Sequence, residues 1–508
     1  MQILWREYLF ILFVSVFVAL AFPLNGNGFP FRHDGLTRFK TRACTRDRQA
    51  ETTCGAVQSN KAIPISGDLW PDRFPAKEHC SKCGLCETTF VSEVTNSCAF
   101  LGEGMARMDA AEILVHGRGR SISDLVWDDT ARDSPHQADE ARFGVMYENM
   151  HLAKGIGING AQWTGCVTSI ALSMLESNQV DAVVCIASKG DWSEPEPILA
   201  RTSDEVLRGR GVKPCLAPSL KVLDEIKADP SIQRLLFCGV GCAVQAFRSI
   251  QPKLALKEVY VLGTNCVDNS PTPQAARNFV QRGLNLDNSA KVQGYEFMQD
   301  FNVHVKLGTD KFEKLPYFCL EGSLAQDAIA DSCLACFDYT NGLADVVVGY
   351  MAAPLESGSS MTTALQSLTI RNPRGAAMVQ TSVKAGRLEL VRPASGRGKH
   401  ESISMATVKS DGIVTNIVSN QVRQGRMPRI IGELMAKIMT GIGPKEVAFA
   451  RYSIDYHLLR NYLHILDFWG EEHTNRTMPE YAKEIVKHYL KSYPTFQELK
   501  DKTLEKRR

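Results

Sequence analysis

The tightest constraint on this chain is one short run, Cys80-Ser-Lys-Cys83-Gly-Leu-Cys86. Cysteines at three-residue intervals turn their thiols toward a common centre, so the chain there has to wrap that centre instead of running on as helix or strand. The C-x2-C-x2-C spacing supplies three ligands of a 4Fe–4S cube, and Cys98 is the nearest fourth. Zinc is the rival occupant, although it favours paired C-x2-C arms over three cysteines on one loop. Gly84 is expected to let the backbone approach the inorganic sulfides.

A second group follows from the expected fold. The runs 181–186, 234–238, 258–262 and 344–349 are short, apolar and rich in β formers, with helical patterns at 168–176 and 272–281 between them. This alternation predicts an α/β fold, a mostly parallel sheet flanked by helices. The C-terminal ends of parallel strands gather along one edge, where sites form. Cys242 and Cys266 fall just after two of these strands, and Cys333-Leu-Ala-Cys336 adds two thiols. The four are expected to hold a second 4Fe–4S cube, with Cys238 competing for the place of Cys242. Of the 15 cysteines in the 508 residues, eight are thereby assigned. Cys185, inside a strand, reads as a small buried hydrophobe.

The organisation expected is a leader over 1–60, an irregular iron–sulfur region over 77–150, an α/β domain over 151–352, and a C-terminal α+β or helical region over 353–508. Residues 353–367 read as a linker or mobile loop. Ser367–Ile370 reads as a strand ended by an Asn372-Pro373 turn, and the tail from Pro479 as a charged surface helix. In the leader, the apolar run from Tyr8 to Ala21 is short for a bilayer span and ends in small residues, as a signal peptide does; a membrane anchor is the alternative. A basic, Ser/Thr-containing stretch follows from Phe22. This pair resembles the bipartite leaders of algae with secondary plastids, which implies import to the plastid stroma through a secretory route. In that reducing compartment the cysteines would be ligands or free thiols. Lys+Arg (58) and Asp+Glu (56) nearly cancel, so there is no basic surplus for nucleic acid.

The loop Gly155-Ile-Gly157-Ile-Asn-Gly160-Ala-Gln-Trp-Thr164-Gly165 runs into a helical pattern, and a glycine-rich loop at a helix N-terminus can present N–H groups to phosphate. No strand clearly precedes it, and an ordinary loop is the alternative. Thr164 and Thr168 would add hydroxyls. Clusters carry single electrons, so two-electron chemistry needs a converter, for which flavin is the usual choice.

Several stretches together resemble the beta-subunit family of deazaflavin-reducing hydrogenases, and within it the plant reductases of a chlorophyll 7-hydroxymethyl group. They are 80–86, Cys98–Gly102, His116–Arg120, Gly160–Gly165, Phe237–Cys242, Gly263–Asn269, Tyr295–Asp300, Cys333–Asn341 and Ala450–His457. The resemblance spans roughly residues 77–485. It implies FAD, two 4Fe–4S clusters, reduced ferredoxin as electron donor and a chlorophyll-type substrate, with Gln162, Trp163, Thr164, Gly165 and Thr168 at the flavin. A homo-oligomer is compatible with it. Ferredoxin-dependent 8-vinyl reductases share the architecture, and the leader, similar to those of chlorophyll c algae, favours them. A non-catalytic electron-transfer subunit and a zinc scaffold are readings of other classes. Loss of water from a hydroxymethyl group needs a general acid. The sequence offers Asp338, Tyr339 and His304, each more often structural, and singles out none.

Overall fold

The computed structural model describes residues 76–127, 139–286, 291–308, 311–356, 360–421 and 425–507. The leader, 1–60, lies outside the described residues, and no described helix is long and apolar enough to cross a membrane.

The fold is α/β. Eight strands build the main sheet: β1 (His151–Gly155), β2 (Ala182–Ser188), β3 (Pro195–Ala200), β4 (Arg234–Gly239), β5 (Glu258–Thr264), β9 (Val346–Gly349), β10 (Gln366–Ile370) and β11 (Leu388–Pro393). Between β5 and β9 the chain forms a separate antiparallel meander of β6 (Val292–Phe297), β7 (Asn302–Leu307) and β8 (Lys311–Pro316). The main sheet has the order β11-β1-β10-β9-β5-β4-β2-β3. Its central strands β9, β5, β4 and β2 are parallel, and antiparallel strands extend it on both sides. The central four are those expected from the apolar runs, because a parallel strand covered on both faces is apolar almost throughout.

Five helices frame the cysteine-rich and glycine-rich segments: α1 (Cys166–Glu176), α2 (Gly241–Ile250), α3 (Pro273–Leu284), α4 (Pro373–Lys384) and α5 (Val447–Trp469). The two-residue period of a strand sorts the sheet's side chains between two cores. Val184, Leu235, Phe237 and Val261 pack with α2 and with Leu85, Phe90 and Val94 of the cysteine-rich region. Val183, Cys185, Leu236, Cys238 and Leu262 pack with α1 and α4 on the other face.

Four expectations are corrected. A strand, β1, does precede the glycine-rich loop. Asn372-Pro373 starts a helix and is no free turn: the Asn372 side chain accepts the Gly375 N–H at 3.0 Å, and Pro373 occupies the first turn of α4, where its missing N–H costs nothing. The stretch at 353–367 is not a linker, since Met361 and Ala364 are buried against Trp163 and Met298, and the sheet runs through the 352/353 boundary from β9 to β10. The tail is two helices, Glu480–Ser492 and Pro494–Arg507, that bury Tyr481, Ile485, Tyr489 and Phe496.

Candidate functional site

Residues 76–107 fold as short turns of 3-10 and α-helix, a path that the three-residue cysteine spacing imposes. Cys80, Cys83, Cys86 and Cys98 converge. Burial, and then the neighbouring thiols, pushes Cys86 and Cys98 up to about 12; Cys80 rises to about 11, chiefly by burial. The Lys82 N–H donates to Cys80 Sγ at 3.3 Å. Gly84 is required for a different reason from the one expected. Its φ is +91°, and a Cβ there would lie 2.8 Å from Lys221 Cγ and 3.2 Å from the Pro218 carbonyl, so the loop packs flat on that segment.

The second set also converges. Cys242 lies in the first turn of α2, Cys266 two residues past β5, and Cys333 and Cys336 on the turn around the short helix Asp331–Leu334. Burial raises all four, and their mutual charge adds to it: Cys266 and Cys333 act on Cys242, Cys333 on Cys266, and Cys242 on Cys336. Backbone and side-chain N–H groups point at the sulfurs. Asn269 donates from its backbone to Cys333 (3.4 Å) and from Nδ2 to Cys266 (3.1 Å), and the Asp338 N–H donates to Cys336 (3.4 Å). Hydrogen bonds of this kind stabilise thiolate and tune an iron–sulfur centre. From α5, Asn461 Nδ2 donates to the carbonyls of Cys333 (3.0 Å) and Cys336 (2.6 Å), while Arg460 holds Asp268 at 2.7 and 2.8 Å. Cys238 stands apart. It faces the α1 side of the sheet, and the thiol that acts on it is Cys185.

The two sets adjoin. Charge on Cys83 reaches Cys242, and the buried Ser81 hydroxyl hydrogen-bonds to both. All eight thiols are deep in the fold, yet each of these residues keeps accessible surface. The other five described cysteines, Cys166, Cys185, Cys215, Cys238 and Cys319, are buried in packed surroundings. Thus the eight, in two groups of four, are less buried than the other five. Among the described residues, no group of three or more His, Cys, Asp or Glu is arranged to hold one metal ion. A cube asks for something else, because each thiolate binds a separate iron. Beside the first set lies a surface cleft lined by His79, Phe100, Phe468, Trp469, His473 and Arg476.

The glycine-rich loop crosses from β1 to α1. Gly165 caps α1 at φ +91°, with its Cβ position 2.8 Å from Ile158, so a side chain there would be strained and crowded. The first N–H of α1 is not free for phosphate: Cys166 N donates to Gln366 Oε1 at 3.2 Å, and Thr164 Oγ1 reaches the same oxygen at 3.2 Å. Thr168 is buried within the first turn of the helix. Gln162 is buried and donates to the Tyr295 carbonyl (3.4 Å) and to Glu296 Oε1 (3.5 Å), and Trp163 stacks on Tyr350 with centroids 4.4 Å apart.

Of the meander residues on the side of this loop, sequence reasoning offered His304 and missed Glu296 and Lys306. In the meander, Tyr295, Val303 and Val305 turn toward α3. The alternate positions Glu296, His304 and Lys306 take the opposite face, and Lys306 Nζ donates to the Ala161 carbonyl at 2.7 Å. The available signal was a glutamate and a lysine in register with a strand's apolar alternation. Burial pushes the Glu296 carboxyl up to about 7, against hydrogen bonds from Tyr350, Trp163 and Gln162. The three proton donors suggested by the sequence are otherwise engaged. Asp338 accepts from Gly342 N (2.8 Å) and Gln245 Nε2 (3.1 Å), Tyr339 OH meets Ser453 Oγ (3.4 Å), and His304 pairs with Asp300 (2.8 Å).

Comparison with known proteins bears on this arrangement. Residues 153–224 match the N-terminal model, and 232–395 the C-terminal model, of the coenzyme F420 hydrogenase/dehydrogenase beta subunit. The chain is 44% identical to 7-hydroxymethyl chlorophyll a reductase, chloroplastic, of Oryza sativa over 87% of its own length and 90% of that protein's. An uncharacterised protein of Nostoc sp. is 37% identical over 82% of this chain and 95% of its own. Coenzyme F420 hydrogenase subunit beta of Methanococcus voltae is 28% identical over 45% of this chain and 78% of its own. The chain belongs to the coenzyme F420 hydrogenase/dehydrogenase beta-subunit family, among the members similar to 7-hydroxymethyl chlorophyll a reductase.

Proposed function

We propose that this chain is a plastid-stromal, ferredoxin-dependent iron–sulfur flavoprotein reductase that converts 7-hydroxymethyl chlorophyll a to chlorophyll a. Cys80, Cys83, Cys86 and Cys98 would hold one 4Fe–4S cluster, and Cys242, Cys266, Cys333 and Cys336 a second. FAD would lie along Gln162, Trp163, Thr164, Gly165 and Thr168. The observation that carries this reading is the sorting of the thiols: eight converge in two adjoining sets of four and keep accessible surface, and the other five are more buried and lie apart from them. The rice relative, named for this reaction and for the chloroplast, supports the substrate and the compartment.

Bound together, the cofactors would collect single electrons and deliver them in pairs. The protein's own contribution is definable. Asn269 and the Asp338 backbone direct N–H groups at ligand sulfurs, and Asn461 fixes the Cys333–Cys336 turn. Ser81 sits at the seam between the two sets, and Trp163 with Tyr350 offers stacked aromatic surface.

Anaerobically purified protein should contain about eight iron atoms, four per cube, and Cys83→Ser or Cys336→Ser should each remove about half. Iron near four in the wild type disproves the second cluster. With reduced ferredoxin, the enzyme given the 7-hydroxymethyl and 8-vinyl pigments in competition should consume the former. Selective vinyl reduction, the outcome that the leader's algal character favours, would transfer the substrate assignment. Failure to turn over either pigment would leave an electron-transfer subunit.

A further inference from the structure

We propose that Glu296 is the proton donor to the leaving hydroxyl, an inference that rests on the reductase reading above. Strand alternation puts its carboxyl on the face of β6 that meets the glycine-rich loop, where Gln162 Nε2 donates to it at 3.5 Å beside the stacked pair Trp163 and Tyr350. Gln162 and Trp163 belong to the proposed flavin segment, and Tyr350 stacks upon it. The residue still keeps accessible surface, which a group exchanging protons with substrate and solvent requires.

The titratable groups around it are the Tyr295, Tyr317, Tyr339 and Tyr350 phenols, with His304 as its register partner on β7, tied to Asp300, and Lys306 on the same face of β7, its ammonium donating to the Ala161 carbonyl. Burial holds the four phenols above their ordinary range, so they stay neutral at physiological pH. With the carboxyl raised to about 7, a substantial fraction is protonated at neutral pH, as a general acid must be.

The step balances as R–CH2OH + 2e⁻ + 2H⁺ → R–CH3 + H2O. The C–O bond breaks as its oxygen takes the Glu296 proton and leaves as water. The two electrons and the second proton that the carbon needs would be supplied by the flavin, reduced by ferredoxin, that the Gln162–Thr168 segment would hold. Glu296 remains as carboxylate and regains its proton from solvent.

The test is Glu296→Gln in the full holoenzyme, which keeps shape and removes the acid. Hydroxymethyl turnover should fall about 100-fold, the lower end of general-acid contributions, with flavin content and flavin reduction by ferredoxin unchanged. The wild-type rate should decline as pH rises through about 7, and the variant should lack that limb. A substrate carrying an acetoxymethyl group, whose acetate leaves without protonation of an alcohol, should lose less than about 10-fold. Independently of turnover, the wild-type infrared spectrum should contain a carboxylic-acid C=O band titrating near pH 7, absent from the variant. Equal loss on both substrates, unchanged turnover, loss of flavin from the variant or absence of that band would each overturn the assignment while leaving the reductase reading intact. A wild type that reduces neither pigment would overturn both.

Discussion

Asn461 offers a direct test of how the C-terminal helix governs the second set of cysteines. Asn461→Leu keeps volume and helix propensity but removes the side-chain donor. The Cys336 carbonyl loses its 2.6 Å partner, and an unsatisfied buried acceptor costs about 1–3 kcal/mol. The Cys333 carbonyl keeps the Cys336 N–H at 3.2 Å, so its loss is about 1 kcal/mol. Arg460 loses the Asn461 Oδ1 acceptor but keeps both bonds to Asp268, roughly another 1 kcal/mol. The two carbonyl losses, about 2–4 kcal/mol together, fall on the 333–336 turn, and the Arg460 loss falls on α5 itself. Were opening of that turn to limit loss of the second cluster, about 2–4 kcal/mol would speed it by between one and three orders of magnitude, since about 1.4 kcal/mol is tenfold. The assay is iron release to a ferrous chelator under reducing anaerobic conditions. Half of the iron should leave at least about 25-fold faster than in the wild type, and the other half at its wild-type rate. Unchanged kinetics, or equal acceleration of all the iron, would refute the argument.

Three further outcomes are expected. Cys238→Ala should leave iron content unchanged, whereas Cys242→Ala should halve it; metal analysis of the two variants reads this directly. Asp455, buried with Arg142 at 2.7 and 3.0 Å, is held well below the usual carboxylate range despite its burial. A depressed carboxyl contributes stability that is present above its unfolded pKa of about 3.9 and lost as pH falls below it, so the urea midpoint should drop below about pH 4. Arg142→Met should cost about 3–5 kcal/mol at pH 7 and flatten that acid slope. A fusion of residues 1–60 to a fluorescent protein should reach the plastid; retention in the endoplasmic reticulum membrane would make the apolar run an anchor.

The legibility of this chain in its sequence tracks burial. Strands β2, β4, β5 and β9 announce themselves because both faces are covered. Strand β1 does not, because it is five residues long and carries Lys154 and Gly155, and its place is fixed by antiparallel pairing with β10 and β11. The meander is hidden for a related reason, since its loop-facing side carries Glu296, His304 and Lys306 where apolar residues would mark a strand. Short spacing alone suffices to bring Cys80, Cys83 and Cys86 together. The choice between Cys238 and Cys242 needs the strand's register, which turns Cys238 to the opposite core. Gln366, the first residue of β10, illustrates what sequence withholds: its partner at the start of α1, Cys166, is 200 residues away.

The span of α5 has a consequence for how the molecule is made. This one helix reaches His79 through His464, the 333–336 turn through Asn461, Asp268 through Arg460, and Arg142 through Asp455. His79, next to the first cysteine, is 385 residues from its partner on the helix. Both thiol sets therefore acquire their final surroundings only after almost the whole polypeptide has been synthesised and has collapsed. Contacts of such sequence separation form late and slowly. Were the two sets to take up iron as proposed, a chain emerging before α5 is complete would offer the cysteines without the His464 and Asn461 contacts that surround them in the folded protein.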